Sequence, residues 1–321
     1  MFGSWMQGLV FAVSLLAAAP AVTQPTSPMT TVEEVIAGRN TVRSIPKEPV
    51  AIVYMFHGSG GSEAFATRLH SRRILEKLSA RGYGFAASAS ADRDPPEQWD
   101  NRSIDPGSNA DVAYMLELHS ALIRRGEIGP GTPVFTTGMS NGGGFANLFA
   151  VAAKAKGLPV RGVADYMGPI PAPAREAAGK TYPPLFVVVS ENDGLVSAET
   201  VTGLAHRLSE AGTSVELHLT REKVVTAETF KVIPGMSQAD RKKTLQALMN
   251  GGVLDVGGHR LVFKNKTKID RPEMAELASM MPPGPAARDV MNELLIAWAG
   301  HQMRSDLADD QVRFFDKALG R

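Results

Sequence analysis

The strongest chemical signal in the chain is a serine held between glycines, Gly138-Met139-Ser140-Asn141-Gly142. A serine hydroxyl is a weak nucleophile at neutral pH, so it needs a base to take its proton and a carboxylate to hold that base. In this pattern the order along the chain is Ser, then Asp or Glu, then His. Glu191-Asn192-Asp193-Gly194 follows the apolar run Leu185 to Ser190, and Asp193 is favoured over Glu191 because it lies further into the loop. An acid opening a helix is the competing explanation for it. Seven histidines compete for the role of base. His57, His70 and His119 precede the serine, while His206 falls in a helical pattern and His218 in a strand pattern. Two remain: His259, after Gly257-Gly258, and His301, after the apolar run Glu293 to Ala299. His301 is preferred as the base, because it stands after what reads as a strand and before the last helix, and His259 is the alternative.

Other chemistries find little support. With no cysteine there is no disulfide framework, thiolate metal site or catalytic thiol. No H-E-x-x-H or comparable cluster argues for a metal, and no cofactor is expected. His57-Gly58-Ser59-Gly60-Gly61 has no lysine after its glycines, and Glu63 stands where a dinucleotide loop starting at Gly58 needs its third glycine. His57 therefore reads as a hydrogen-bonder that shapes a loop. Basic and acidic side chains number 34 and 33, a net charge of +1, so nothing suggests a nucleic-acid partner.

The elements that must position these residues read as strands alternating with helices, hence a mostly parallel sheet covered on both faces. Pro49 to Phe56 is a continuous apolar run with β-branched residues, as a strand buried on both sides requires. Further strands are predicted over Tyr83 to Ser90, Pro133 to Gly138, Val160 to Tyr166, Leu185 to Ser190 and Val215 to Leu219, and Glu293 to Ala299 also reads as one. Helices are predicted over Arg68 to Arg81, Asn109 to Arg125, Asn141 to Lys156, Ser197 to Ala211 and Leu307 to Leu319. Ser140 then sits at an abrupt strand-to-helix corner, and the N–H of Asn141 at the helix start faces the oxyanion that would develop there.

The alternation breaks over residues 221–290, which read as a cap inserted in one domain, with a helix over Gln238 to Asn250 and a hinge at Pro282 to Pro285. The hydrolytic core would be 49–220 plus 291–321. Trp99, Tyr166 and Met280 to Pro285 are candidates for an apolar substrate pocket, with plain packing as the alternative. At the other end, Gly8 to Ala19 is apolar but too short to span a bilayer, and Ala19-Pro20-Ala21 suits a signal peptidase. Residues 1–21 are thus expected to be a signal peptide that is removed, 22–48 an N-terminal segment, and the mature protein secreted or periplasmic with no stable membrane insertion. The oligomeric state is not legible.

Phe56 to Ser62 (FHGSGGS), Trp99, Asp105, Asp111 and residues 135–150 (FTTGMSNGGGFANLFA) together resemble the α/β-hydrolase superfamily, closest to secreted esterases of the polyhydroxybutyrate depolymerase and feruloyl esterase group. The resemblance covers about residues 50–220 and 292–319. It implies an α/β-hydrolase fold, Ser140 as nucleophile, Asp193 as acid and His301 as base; the helical cap insertion over residues 221–290 and the absence of cysteines are where the chain departs from that group. It also implies oxyanion donors at the backbone N–H groups of Asn141 and of Ser59 or Gly60. The implied activity is hydrolysis of a small or polymeric carboxylic ester. A peptidase or acyltransferase on the same residues, and a binding protein that keeps the fold without turnover, stay open.

Overall fold

A computed structural model describes residues 29–178, 181–263, 266, 268–281, 284 and 286–321. The expected signal peptide, and three of the four positions of the expected Pro282 to Pro285 hinge, lie outside the described residues. Eight strands form one sheet: β1 (Val32–Ile36), β2 (Arg39–Ser44), β3 (Ala51–Phe56), β4 (Tyr83–Ser88), β5 (Val134–Met139), β6 (Val160–Tyr166), β7 (Leu185–Ser190) and β8 (Val215–Thr220). Their order is β1-β2-β4-β3-β5-β6-β7-β8. The pairs β1/β2 and β2/β4 are antiparallel and the others parallel.

The period-two alternation of a strand sends β3 into both layers at once. Ile52, Tyr54 and Phe56 enter one core, and Ala51, Val53 and Met55 enter the other. The first face is covered by α2 (Ala110–Arg124), α3 (Asn141–Ala155) and α5 (Ala198–Glu210), through residues such as Leu118, Phe149 and Ala205. The second is covered by α1 (Leu69–Ser79) and α9 (Ala308–Ala318), through residues such as Ile74, Leu78 and Phe315. A short α4 (Ala172–Ala178) follows β6. This is the α/β-hydrolase fold expected from the sequence. Ligands of such sheets bind outside the carboxyl ends of the strands, and the loops after β3, β5 and β7 all leave at that edge.

After β8 come α6 (Gln238–Asn250), α7 (Arg271–Ser279) and α8 (Ala287–Ala297). They enclose a third core that runs from Val225 and Phe230 through Leu248 and Leu277 to Leu294 and Trp298. One sequence expectation changes here. Glu293 to Ala299 is not a strand: most of it is the end of α8, whose Val290, Leu294 and Leu295 share one buried helical face. For that reason α8 packs with the inserted helices, and the chain rejoins the main core at Met303. Among the described residues no helix is long and apolar enough to cross a membrane.

Candidate active site

Ser140 sits on the corner between β5 and α3 with φ 57 and ψ −127, a backbone conformation that L-residues rarely hold. Its neighbours must be small. A methyl added to Gly138 would overlap the Gly142 carbonyl, and one added to Gly142 would overlap the carbonyl oxygens of Phe56 and His57. The corner is tied down by the Ser140 N–H, which donates to the Tyr166 carbonyl at 2.9 Å, so the ladder to β6 continues up to the serine itself.

The acid loop follows β7. Asp193 is 2% exposed, and its Oδ1 accepts the N–H groups of Leu195 (2.8 Å) and Val196 (2.9 Å). Its Oδ2 lies 2.7 Å from His301 Nδ1. A carboxylate only accepts, so Nδ1 carries a proton, and in the neutral ring the lone pair is then on Nε2. Glu191, the other acid considered, is turned away and accepts the Glu222 N–H at 2.6 Å. His259, the other histidine, is exposed on a turn where its backbone N–H bonds Asp255.

Asn192, which sequence reasoning did not single out, joins the acid loop to the segment before His301. Its backbone N–H donates to Ala299 O (3.0 Å) and its side-chain amide to Trp298 O (2.8 Å). Its carbonyl accepts the Ile269 N–H at 2.9 Å, and Gly194 donates to the Ile269 carbonyl, so the insertion is stitched to the acid loop as well. Ser140 and His301 line one cavity of about 610 Å³. No hydrogen bond joins Ser140 Oγ to His301 among the described residues, and such contacts commonly tighten only when substrate is bound.

The loop after β3 passes beside the serine: a Cβ on Gly58 would lie 3.4 Å from Ser140 Cβ. His57 is 1% exposed and shapes this loop. Its Nε2 accepts the Ser90 N–H (3.1 Å), which leaves the proton on Nδ1 to donate to the Gly58 carbonyl (2.8 Å). Burial pushes its pKa down to about 4, so the ring is neutral at physiological pH. Of the two N–H groups expected from the loop, that of Gly60 is taken by the Glu97 carbonyl at 2.9 Å. The N–H groups of Ser59 and Asn141 have no protein acceptor among the described residues. Gly60 is therefore spent on holding the loop.

Trp99 and Tyr166 do not line the cavity, and here the expectation of a substrate pocket is corrected. Trp99 is 2% exposed, stacks on Phe145 at 4.6 Å and donates through its indole to the His57 carbonyl. Its backbone is clamped by the Asn141 side chain, which accepts from Trp99 N–H (2.7 Å) and donates to Trp99 O (3.0 Å). Asp111 organises the same loop by accepting the N–H groups of Ala91 and Asp100 and the guanidinium of Arg39. Tyr166 is fully buried and donates to Gln311 on α9. Both aromatics are large residues with one polar atom each, satisfied inside the core.

Behind the serine lies Asp165, with no exposed surface, accepting from Asn147 (2.7 Å) and from the Gly168 N–H (2.8 Å). Burial pushes its pKa up to about 7, against the pull of those two donors. Among the described residues no group of three or more His, Cys, Asp or Glu is placed to hold a metal ion.

No family model matches the chain, and no curated protein matches it in sequence. Solved structures do resemble it. An esterase of Pyrococcus furiosus is 16% identical, with 73% of this chain and 97% of that one covered and a TM-score of 0.45. A hormone-sensitive lipase from a metagenome library is 18% identical over 68% of this chain and 83% of that one, TM-score 0.42. A bacterial heroin esterase is 18% identical over 62% and 77%, TM-score 0.42.

Proposed function

We propose that this protein is a serine hydrolase that cleaves carboxylic esters through an acyl-enzyme. The observation that carries the reading is the strained Ser140 corner opening on the same cavity as His301, whose Nδ1–H is held by Asp193. His301 Nε2 takes the hydroxyl proton as Ser140 Oγ attacks the ester carbonyl. Charge collects on the carbonyl oxygen, and the free N–H groups of Asn141 and Ser59, with the positive end of α3, stabilise it. The imidazolium then protonates the departing alkoxide. Water, activated by the same nitrogen, releases the acid and restores Ser140. Asp193 keeps the imidazole in the tautomer this cycle needs, and Asn192 keeps the segment carrying His301 in register with the acid loop.

The test is turnover of para-nitrophenyl esters of graded chain length by the wild type, Ser140→Ala, His301→Ala and His259→Ala. Residues that act as a unit lose activity as a unit, so the first two variants are expected to fall together, by about 10⁴-fold or more, and the third to stay near wild type. An active Ser140→Ala, or an inactive His259→Ala beside an active His301→Ala, would overturn the assignment. Turnover of amides in place of esters would move the same residues to peptide chemistry.

A further inference from the structure

The cavity that holds Ser140 and His301 is also lined by three arginines, from stretches far apart in the chain. Arg68 precedes α1, Arg271 opens α7 and Arg288 lies in the first turn of α8. All three are exposed, and none has a side-chain hydrogen bond or ion pair with any described residue. Elsewhere many arginines are matched: Arg43 with Glu34 and Glu127, Arg81 with Asp316, Arg260 with Glu222. Among the described residues that line the cavity the one carboxylate is Asp289, which pairs with none of the three.

Arg68 and Arg288 are close enough to feel one another. Arg68 has an open surface, yet the protein around it strips part of its hydration; that partial desolvation, and then the Arg288 charge, push its guanidinium below its ordinary value, and no carboxylate acts on it in return. Two like charges facing a shared space cost energy that an anion between them would recover, and the guanidinium fork matches a carboxylate in two parallel bonds. The rest of the wall includes Phe65, Met139, Met274 and Met303, which offer apolar surface. Two of the three arginines belong to the insertion, so the part of the chain added to the core brings positive charge to the serine.

We propose that the substrate is an ester that also bears a free carboxylate, held by Arg68, Arg271 and Arg288 while its ester carbonyl lies at Ser140. The proposal rests on the serine-hydrolase reading above and narrows it to a substrate class.

Two matched pairs test it. Para-nitrophenyl hydrogen glutarate against para-nitrophenyl pentanoate places the charge in the acyl part. Para-acetoxybenzoate against para-acetoxybenzamide places it in the alcohol part, each rate being corrected for reactivity toward hydroxide. In at least one pair kcat/KM for the anion is expected to exceed that for its neutral partner by about tenfold or more. The ratio should shrink as salt is raised. It should fall toward one in a variant carrying Arg68→Gln, Arg271→Gln and Arg288→Gln, and if that variant does not fold, the wild-type ratio alone decides. Neutral esters turned over as well as the anions in both pairs, or a ratio that survives the triple substitution, would overturn the proposal and leave the esterase intact. Failure of every ester, with Ser140 inert to a fluorophosphonate, would instead overturn the hydrolase reading and this proposal with it.

Discussion

Two buried titratable groups flank the serine and pull the pH dependence of stability in opposite directions. His57 titrates near 4 in the folded chain and near 6.5 when unfolded, so between those values the folded form binds fewer protons. Its contribution is present above pH 6.5 and is lost as pH falls toward 4, a total of ~3 kcal/mol. Asp165 does the reverse. Its carboxyl titrates near 7 when folded and near 3.8 when unfolded, so the folded form binds more protons in that window. The stability this group confers is complete below pH 3.8 and is lost as pH rises through 7, ~4 kcal/mol in all. Where the windows overlap, each slope is about 1.4 kcal/mol per pH unit with opposite sign, and the pair nearly cancels in the wild type.

Urea denaturation at about pH 4.5, 5.5 and 6.5 of the wild type, His57→Asn and Asp165→Asn separates them. Each substitution costs stability outright through lost hydrogen bonds, so the slopes carry the test. Relative to wild type, His57→Asn is expected to lose stability as pH rises and Asp165→Asn to gain it, by roughly 2 to 3 kcal/mol across the range. All other groups are common to the three proteins and drop out of the comparison. Two variants whose profiles run parallel to the wild type would show that neither His57 nor Asp165 titrates differently on folding.

Gly142→Ala forces a methyl into the carbonyls of Phe56 and His57, both backbone atoms that cannot swing aside; the serine corner must shift, and turnover is expected to fall about 10²-fold or more while circular dichroism shows the sheet retained. Asn192→Ala removes the side-chain bond to the Trp298 carbonyl and should lower kcat by roughly tenfold with a loss of about 1 kcal/mol in stability, read by steady-state kinetics and thermal melting. Recovered from outside the cytoplasm, the mature chain should begin near Val22 by N-terminal sequencing, and an intact Met1 would reject the signal peptide.

The serine corner was legible because its requirements are local: a glycine on either side, a β-branched strand before and a helix after. The pairing of Asp193 with His301 was also within reach, since an acid at a strand end and a histidine ahead of the last helix are positions a sequence marks. Glu293 to Ala299 misled because a short apolar run fits a buried strand and a buried helix equally, and only the earlier Val290 reveals the helical spacing. The β1–β2 hairpin went unseen: its turn is Ala37-Gly38, with both residues at positive φ, and Ala37 gives none of the usual turn signal. Trp99 and Tyr166 show the limit of reading aromatics as pocket residues, because burial follows from contacts that sequence does not list. No pattern pointed to Arg68, Arg271 and Arg288. They meet at the cavity only through the packing of α1 beside the insertion.

In the proposed mechanism Ser140 is the nucleophile and His301 activates it. Intact-mass and peptide analysis after treatment with a fluorophosphonate tests both at once. One adduct per chain, on the peptide containing Ser140, is expected for the wild type, none for Ser140→Ala, and a much slower adduct for His301→Ala. Equal labelling of the wild type and Ser140→Ala would remove Ser140 from the mechanism.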